Sequence, residues 1–289
     1  MASTGDQMRL DGKKSRLGRV VLSLQLLVLQ LLLAAVACAE QPRPLMLIGP
    51  PWPPYLDPRN PGQGLATEIV LASLAAGGFP HSQIHLRPWR RVLLEAGQGQ
   101  VDGLIGLWHS EERESKFLFS EPYLASPIVL VLPKETELIP GSFQELEGLR
   151  LAYRKGASFG ATFDDSDRLD KYPVGGTLSM ARMVARGRMD AGLEDGLVLE
   201  QLMQHHPDLK ALLHLVKPPL LKQPLHFAAP VERPGAGQLV EAFNRGLKRI
   251  RADGRYKALL EGYASVWNGD LSAAKLAEGE SSVRRESEE

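Results

Sequence analysis

The chain has 289 residues, 44 % of them apolar and 24 % charged, with 34 basic side chains against 34 acidic ones. These are ordinary proportions for a globular chain, and the length allows one large domain or two of common size. A collagen, a coiled coil and a disulfide scaffold are excluded, the last because only one cysteine is present, and no basic stripe marks a nucleic-acid surface.

The N-terminus differs from the rest. Lys13, Lys14, Arg16 and Arg19 precede an apolar run from Val20 to Ala37, and Ala37 and Ala39 form an A-x-A exit. This pattern predicts a secretory signal peptide over residues 1–39, cut after Ala39, and a periplasmic mature protein. The alternative is an uncleaved anchor. Gln25 and Gln30 interrupt the run, which is short for a span of about 20 apolar residues. Ala35-Val36-Ala37-Cys38 is similar to a lipobox, but Ala35 stands where Leu is usual. Cleavage after Ala39 removes Cys38 and leaves 29 basic residues against 32 acidic ones.

Leu45–Ile48 reads as a buried strand running into Pro50-Pro51-Trp52-Pro53-Pro54, where the prolines forbid a helix. A helix over Ala66–Ala76, a strand at Ile84–Leu86, a helix over Trp89–Ala96 and a strand over Val101–Leu107 follow. Strand alternating with helix implies βαβ units and a parallel sheet. Ile128–Leu132 is a continuous apolar run. Then come a strand at Leu149–Tyr153, a turn over Lys155–Ser158 into a helix start, and a helix over Leu178–Arg186 with Thr177 able to cap it. Asp190–Leu193 and Leu212–Val216 read as strands flanking a helix over Leu197–His205. Leu225–Ala229 is a second apolar crossing, and helices over about 238–252 and 256–266 close the fold. From Gly269 onward the chain is rich in Glu, Ser and Arg, and a disordered tail is expected over 268–289.

Five motifs fall in register. Gln100-Val101-Asp102-Gly103 leads into a strand and a polar stretch ending in Arg113, followed by Phe119-Ser120-Glu121-Pro122-Tyr123. Pro54-Tyr55 lies before it, and Leu146-Glu147-Gly148, Gly187-Arg188-Met189-Asp190-Ala191 and Ala252-Asp253-Gly254-Arg255-Tyr256 lie after it. From about residue 42 to 265 the chain resembles the family 3 extracellular solute-binding proteins, receptors of polar amino-acid ABC transporters. The resemblance implies an α/β, periplasmic-binding-protein-like fold: two α/β lobes joined by two hinge strands, with a ligand cleft between them. Lobe 1 is then expected over 40–130 and 228–267, and lobe 2 over 131–227.

The resemblance also implies site residues. Arg113 matches the family's carboxylate-binding arginine, and a planar guanidinium fork suits a carboxylate. Alone, it would read as a surface residue paired with a neighbouring glutamate. Asp195 matches the aspartate for a ligand ammonium, although it can equally cap the helix that follows. Trp52 and Trp89 fall where relatives place rings about the ligand. Ser158 has two readings. Within the family its hydroxyl and the amides of a helix N-terminus hold a carboxylate. As G-x-S-x-G it is similar to a hydrolase nucleophile elbow, with Asp190, Asp195 and His226 following in triad order.

His205-His206 reads as a solvated helix end, because adjacent helical residues point about 100° apart, and no metal or cofactor is expected. Three positions depart from amino-acid receptors. Gly106 and Trp108 replace small hydroxyl residues, with Trp108 still expected to touch the ligand and donate its indole N–H, and Gly49 replaces the acid of basic-amino-acid receptors. The expectation is a monomeric binding protein, not an enzyme. Its partners would be a small amino-acid-like or carboxylate ligand and an inner-membrane ABC permease. A sensory binding module of the same fold is the alternative.

Overall fold

A computed structural model describes residues 43–266. The expected signal peptide with its cleavage site and Cys38, and the expected tail over 268–289, lie outside the described residues. No helix among those described is long and apolar enough to cross a membrane.

In chain order the first elements are β1 (Leu45–Gly49), α1 (Leu65–Ala76), β2 (Ser82–Leu86), α2 (Trp89–Gly97), β3 (Gly103–Trp108), α3 (Glu111–Glu114), β4 (Phe117–Phe119) and β5 (Leu124–Pro133). The middle of the chain forms β6 (Arg150–Arg154), α4 (Ala161–Asp164), β7 (Asp170–Val174), α5 (Thr177–Ala185), β8 (Ala191–Asp195) and α6 (Gly196–His205). It closes with α7 (Pro207–Leu212), β9 (Leu213–Leu215), β10 (Leu221–Pro230), α8 (Ala236–Ala252) and α9 (Arg255–Val266).

The strands run in the order β2-β1-β3-β10-β5-β8-β6-β7, with β4 also on β10 and β9 on β5. The outer pairs β1–β2, β1–β3, β6–β7 and β6–β8 are parallel, as βαβ units require. The sheet is not parallel throughout. Every pair made by β5 or β10 is antiparallel, because these two strands carry the chain between lobes in opposite directions. Residues 124–128 of β5 pair with 221–225 of β10. From Ile128, β5 joins β8, and from Leu225, β10 joins β3. The crossing is therefore these two five-residue stretches, and Ile128–Leu132 and Leu225–Ala229 lie largely beyond it, inside the lobes.

Several motif residues prove to be joints of the fold. The Asp102 carboxylate, just before β3, accepts from the Met46 N–H of β1 at 2.8 Å and from Arg233 Nε at 2.9 Å. Asp190 repeats this in the other lobe, accepting from the Arg150 N–H of β6 at 2.8 Å and from its guanidinium. In both, an aspartate at a strand entrance satisfies an N–H that the parallel ladder leaves unpaired. Ser120 Oγ accepts from Phe227 N at 3.0 Å, and Tyr256 of α9 donates its hydroxyl to the Tyr123 carbonyl at 2.6 Å.

Helix α8 buries Leu239, Val240, Phe243, Leu247 and Ile250 along one face, at roughly 1.5–3 kcal/mol for each large side chain removed from water. Phe243 stacks on Phe227 of β10 with centroids 4.9 Å apart. A Cβ on Gly246 would lie 1.7 Å from the Ser73 carbonyl, so the α1–α8 approach requires glycine there.

Candidate functional site

The chain end of β1 leads into a proline-rich turn that places Trp52 and Tyr55 over the crossing strands. Trp108 ends β3, and its direction depends on a bulge. Trp108 pairs with Leu225 and Leu107 with His226, but Leu104 pairs with Ala228, so one extra residue sits in β3. Gly106 lies within that irregularity at φ +74°. Side-chain alternation breaks there: Leu104 and Leu107 pack in one cluster, while Ile105 and Trp108 pack in the other. The glycine expected to mark the loss of a ligand-facing hydroxyl is thus also the device that turns the Trp108 ring toward the cleft. A side chain at Gly49 would force the buried Leu56 to shift, since its Cβ would lie 2.3 Å from Leu56 Cδ2.

The cleft between the lobes is lined by Trp52, Trp89, Trp108, Arg113, Arg154 and the backbone at Gly156, among others. Trp52 and Trp108 meet edge to face at 5.5 Å, and the Arg154 guanidinium lies 5.5 Å and 5.9 Å from these two rings. Arg113 lies 5.4 Å from the Trp89 ring. The inner recess leaves only about 20 Å³ for solvent centres, little more than one water needs. Trp52, Trp89 and Arg154 also border a wider outer recess of about 530 Å³.

Polar contacts close one lobe on the other. The Gly156 carbonyl accepts from Arg113 Nη2 at 3.0 Å and from Trp89 Nε1 at 3.3 Å. Arg113 Nη1 donates to the Trp108 carbonyl at 2.6 Å. Arg113 is therefore held by backbone carbonyls, and the nearby Glu114 pairs instead with His109. Burial lowers the Arg113 pKa from its ordinary value, against the Glu112 and Asp164 charges that raise it, while the Arg154 charge adds to the lowering. Tyr55 donates to Asp195 Oδ2 at 2.9 Å.

Asp195 takes the capping role. Its Oδ1 accepts from Val198 N at 3.0 Å at the start of α6, and Ser126 and Tyr55 donate to Oδ2. The side chain is fully buried. Burial pushes its pKa up to about 7 against the opposing pull of its hydrogen-bond donors. Its neighbour Glu194, also fully buried, accepts from Arg154 Nε at 3.2 Å, Thr177 Oγ1 at 2.9 Å and the Asp195 N–H at 3.0 Å. Thr177 is thus not the cap of α5. Gly176 holds that position, and the threonine hydroxyl turns to Glu194.

Ser158 lies on the cleft-side turn after β6, but α4 is a single turn and its exposed amides have an internal partner. The Asp164 carboxylate accepts from Ser158 Oγ at 2.5 Å, Phe159 N at 3.1 Å and Gly160 N at 3.1 Å. The expected free N-terminal amides are filled by the chain itself. In the same geometry Ser158 donates to Asp164, while His226 engages the Ser120 carbonyl at 2.7 Å, so these two side chains are not paired with one another. His205 and His206 border the outer recess at the end of α6. Among the described residues no group of three or more His, Cys, Asp or Glu is placed to hold a metal.

The structure thus brings Trp52, Trp89, Trp108 and Arg113 to one cleft, with Asp195 behind its wall and Ser158 at its rim. Sequence reasoning missed Arg154, Glu194 and Tyr55. The available signal for Arg154 was its place as the final residue of a strand followed by a Gly turn, the end where open α/β sheets bind ligands.

A profile of the bacterial extracellular solute-binding proteins, family 3, matches residues 47–266. The arginine-binding periplasmic protein of Mannheimia haemolytica is 24 % identical over 242 residues, covering 81 % of this chain and 96 % of that protein. Among solved structures, a mutant of the arginine-binding protein ArgBP from T. maritima superposes with a TM-score of 0.62 at 21 % identity, over 76 % of this chain and 95 % of that one. A histidine kinase sensor domain with similarity to periplasmic binding proteins gives 0.61 at 21 % identity, over 75 % and 94 %. At such identities the structures speak for the fold alone. The profile spans nearly all of the described residues, and the chain belongs to the bacterial extracellular solute-binding proteins, family 3.

Proposed function

We propose that the protein is the periplasmic receptor of an ABC transporter, exported by residues 1–39 and working as a monomer. It captures a small carboxylate-bearing molecule between its lobes and presents it to an inner-membrane permease. The observation that carries this reading is the cleft lined by three tryptophans and two arginines between lobes joined by only two paired strands. Rotation about residues 124–128 and 221–225 opens the cleft, and a ligand that touches both walls favours the closed state by its differential affinity. Arg113 supplies the planar donor fork for the carboxylate, exchanging its bond to the Gly156 carbonyl for one to the ligand. The rings cover the apolar stem. The protein binds its ligand without reacting with it.

Arginine, named for two of the relatives, is a poor fit here. Gly49 carries no acidic side chain, and one there would have to displace Leu56, while the cleft already holds two guanidinium groups.

The test is a thermal-shift and calorimetric screen of residues 40–289 against amino acids, small carboxylates and amines. A ligand at 100 times its Kd adds about 2.7 kcal/mol of stability. Arg113→Ala should abolish the shift given by carboxylates. A wild-type protein stabilised by no carboxylate would refute the receptor reading. The likeness to a sensor domain favours one further assignment, a sensory binding module. Loss of labelled-ligand uptake on gene deletion supports transport, whereas intact uptake with a lost transcriptional response supports sensing.

A further inference from the structure

Resting on that receptor reading, we propose that the cleft selects short dicarboxylates lacking an ammonium group, and that Arg154 reads the second carboxylate. The lining of both recesses carries arginines, histidines and indoles but no carboxylate among the described residues. Of the acids around the cleft, Glu112 is exposed beside Arg113, Asp164 is committed to Ser158, Phe159 N and Gly160 N, and the two behind the wall are committed as well. Asp195 accepts from Val198 N, Tyr55 and Ser126, and Glu194 accepts from Arg154, Thr177 and the Asp195 N–H. A ligand ammonium brought here would lose water and find no anion, a costly burial.

Donors, by contrast, are in excess. Trp52 Nε1 and Trp108 Nε1 are buried with no hydrogen-bond partner, on residues only 5 % and 4 % exposed. A buried unpaired donor is unfavourable, so acceptor atoms from a ligand are gained at both rings. Arg154 uses Nε on Glu194, and its two terminal amino groups hydrogen-bond to nothing among the described residues. Glu194 therefore aims the guanidinium from behind and leaves its outer fork toward the recess. Arg113 and Arg154 also repel one another, which an anion between them relieves. The outer recess adds the start of α5 at Gly175–Thr177, a nine-residue helix whose cap, Gly176, has no side-chain oxygen to offer. Arg59 there is already paired with Asp57. The small inner recess, filled by Trp108, restricts the ligand to a short stem.

Calorimetry on residues 40–289 with succinate, aspartate, butyrate and arginine separates the contributions. Aspartate is succinate with an ammonium, and butyrate is succinate without the second acid. Succinate should bind, with aspartate and butyrate each at least about tenfold weaker and arginine absent. Arg154→Gln should weaken succinate by about tenfold or more and lower the succinate-to-butyrate ratio, and Arg154→Lys should fall between it and wild type. Thermal melts of both variants report that they fold. Aspartate or arginine binding as tightly as succinate would overturn the inference, as would a succinate-to-butyrate ratio unchanged in Arg154→Gln or silence from succinate, malonate and glutarate alike. An α-amino acid found as ligand in the wider screen would sink this inference and leave the receptor reading standing, whereas silence from every carboxylate would sink both.

Discussion

Replacing Asp195 by Asn should make the protein less sensitive to alkaline pH. The carboxyl is fully buried, and burial raises its folded pKa to about 7, against an ordinary value of 3.8. Between those two values the folded protein binds a proton that the unfolded chain releases. Folding is therefore favoured at the acid end, and this contribution fades as pH rises through 7. From pH 5 to pH 8 the loss comes to about 2–3 kcal/mol. Asparagine keeps the shape and an oxygen for the Val198 N–H, and its amide can donate to the Tyr55 and Ser126 oxygens, so the cap survives while the titration disappears. The assay is urea unfolding of wild type and variant at pH 5, 6, 7 and 8, with the difference in free energy plotted against pH. The variant should gain on wild type by about 2–3 kcal/mol across that range. Taking the difference removes other titrating groups, such as the buried His226, whose pKa is lowered by burial and which acts in the opposite sense. A difference independent of pH would show that Asp195 is ionised throughout, and the account of its burial would be wrong.

Three further outcomes follow from the geometry. Gly106→Ser should not restore a ligand hydroxyl: φ of +74° disfavours any L residue there and the new Cβ meets Leu56 Cδ1 at 3.2 Å. Urea midpoints should fall by the equivalent of roughly 1–2 kcal/mol, and tryptophan fluorescence should change as Trp108 reorients. Gly49→Asp places its Cβ 2.3 Å from Leu56 Cδ2. Urea unfolding should show a loss of stability typical of overpacking, about 1–3 kcal/mol, with no arginine binding gained by calorimetry. Asp102→Ala removes the acceptor of the Met46 N–H and of Arg233 Nε, leaving Arg233 its bond to the Gly99 carbonyl, and should destabilise by about 2 kcal/mol, with hydrogen exchange fastest in β1.

The motifs legible in the sequence divide into two kinds. Asp102, Ser120, Asp190 and Tyr256 look functional in a linear reading, yet each fastens one strand or helix to the next. Trp52, Trp89 and Arg113 were legible as cleft residues through the register of the motifs and the resemblance it carries; alone, a tryptophan reads as core and an arginine as a surface residue. Arg154 was not, since its importance lies in the buried Glu194 forty residues away that holds its Nε. Thr177 misled for the opposite reason: a threonine at a helix start caps it by local logic, but the buried acceptor on β8 wins.

Strand and helix periodicity and the proline-rich turn are local or repetitive properties, so the chain alone determined its alternating α/β class, and the register of the motifs carried the resemblance that implied the two lobes, the family, Arg113 and the tryptophans. Which donors and acceptors remain free is not local. It depends on contacts between β6, β8, α4 and the Trp52 turn, brought together across the crossing strands. Only the tertiary structure could decide that Asp195 is spent as a buried cap, that Asp164 fills the amides beside Ser158, and that Arg154 faces the cleft. An aspartate whose hydrogen bonds are all used inside the protein has none left for a ligand, and no spacing in the sequence records that saturation.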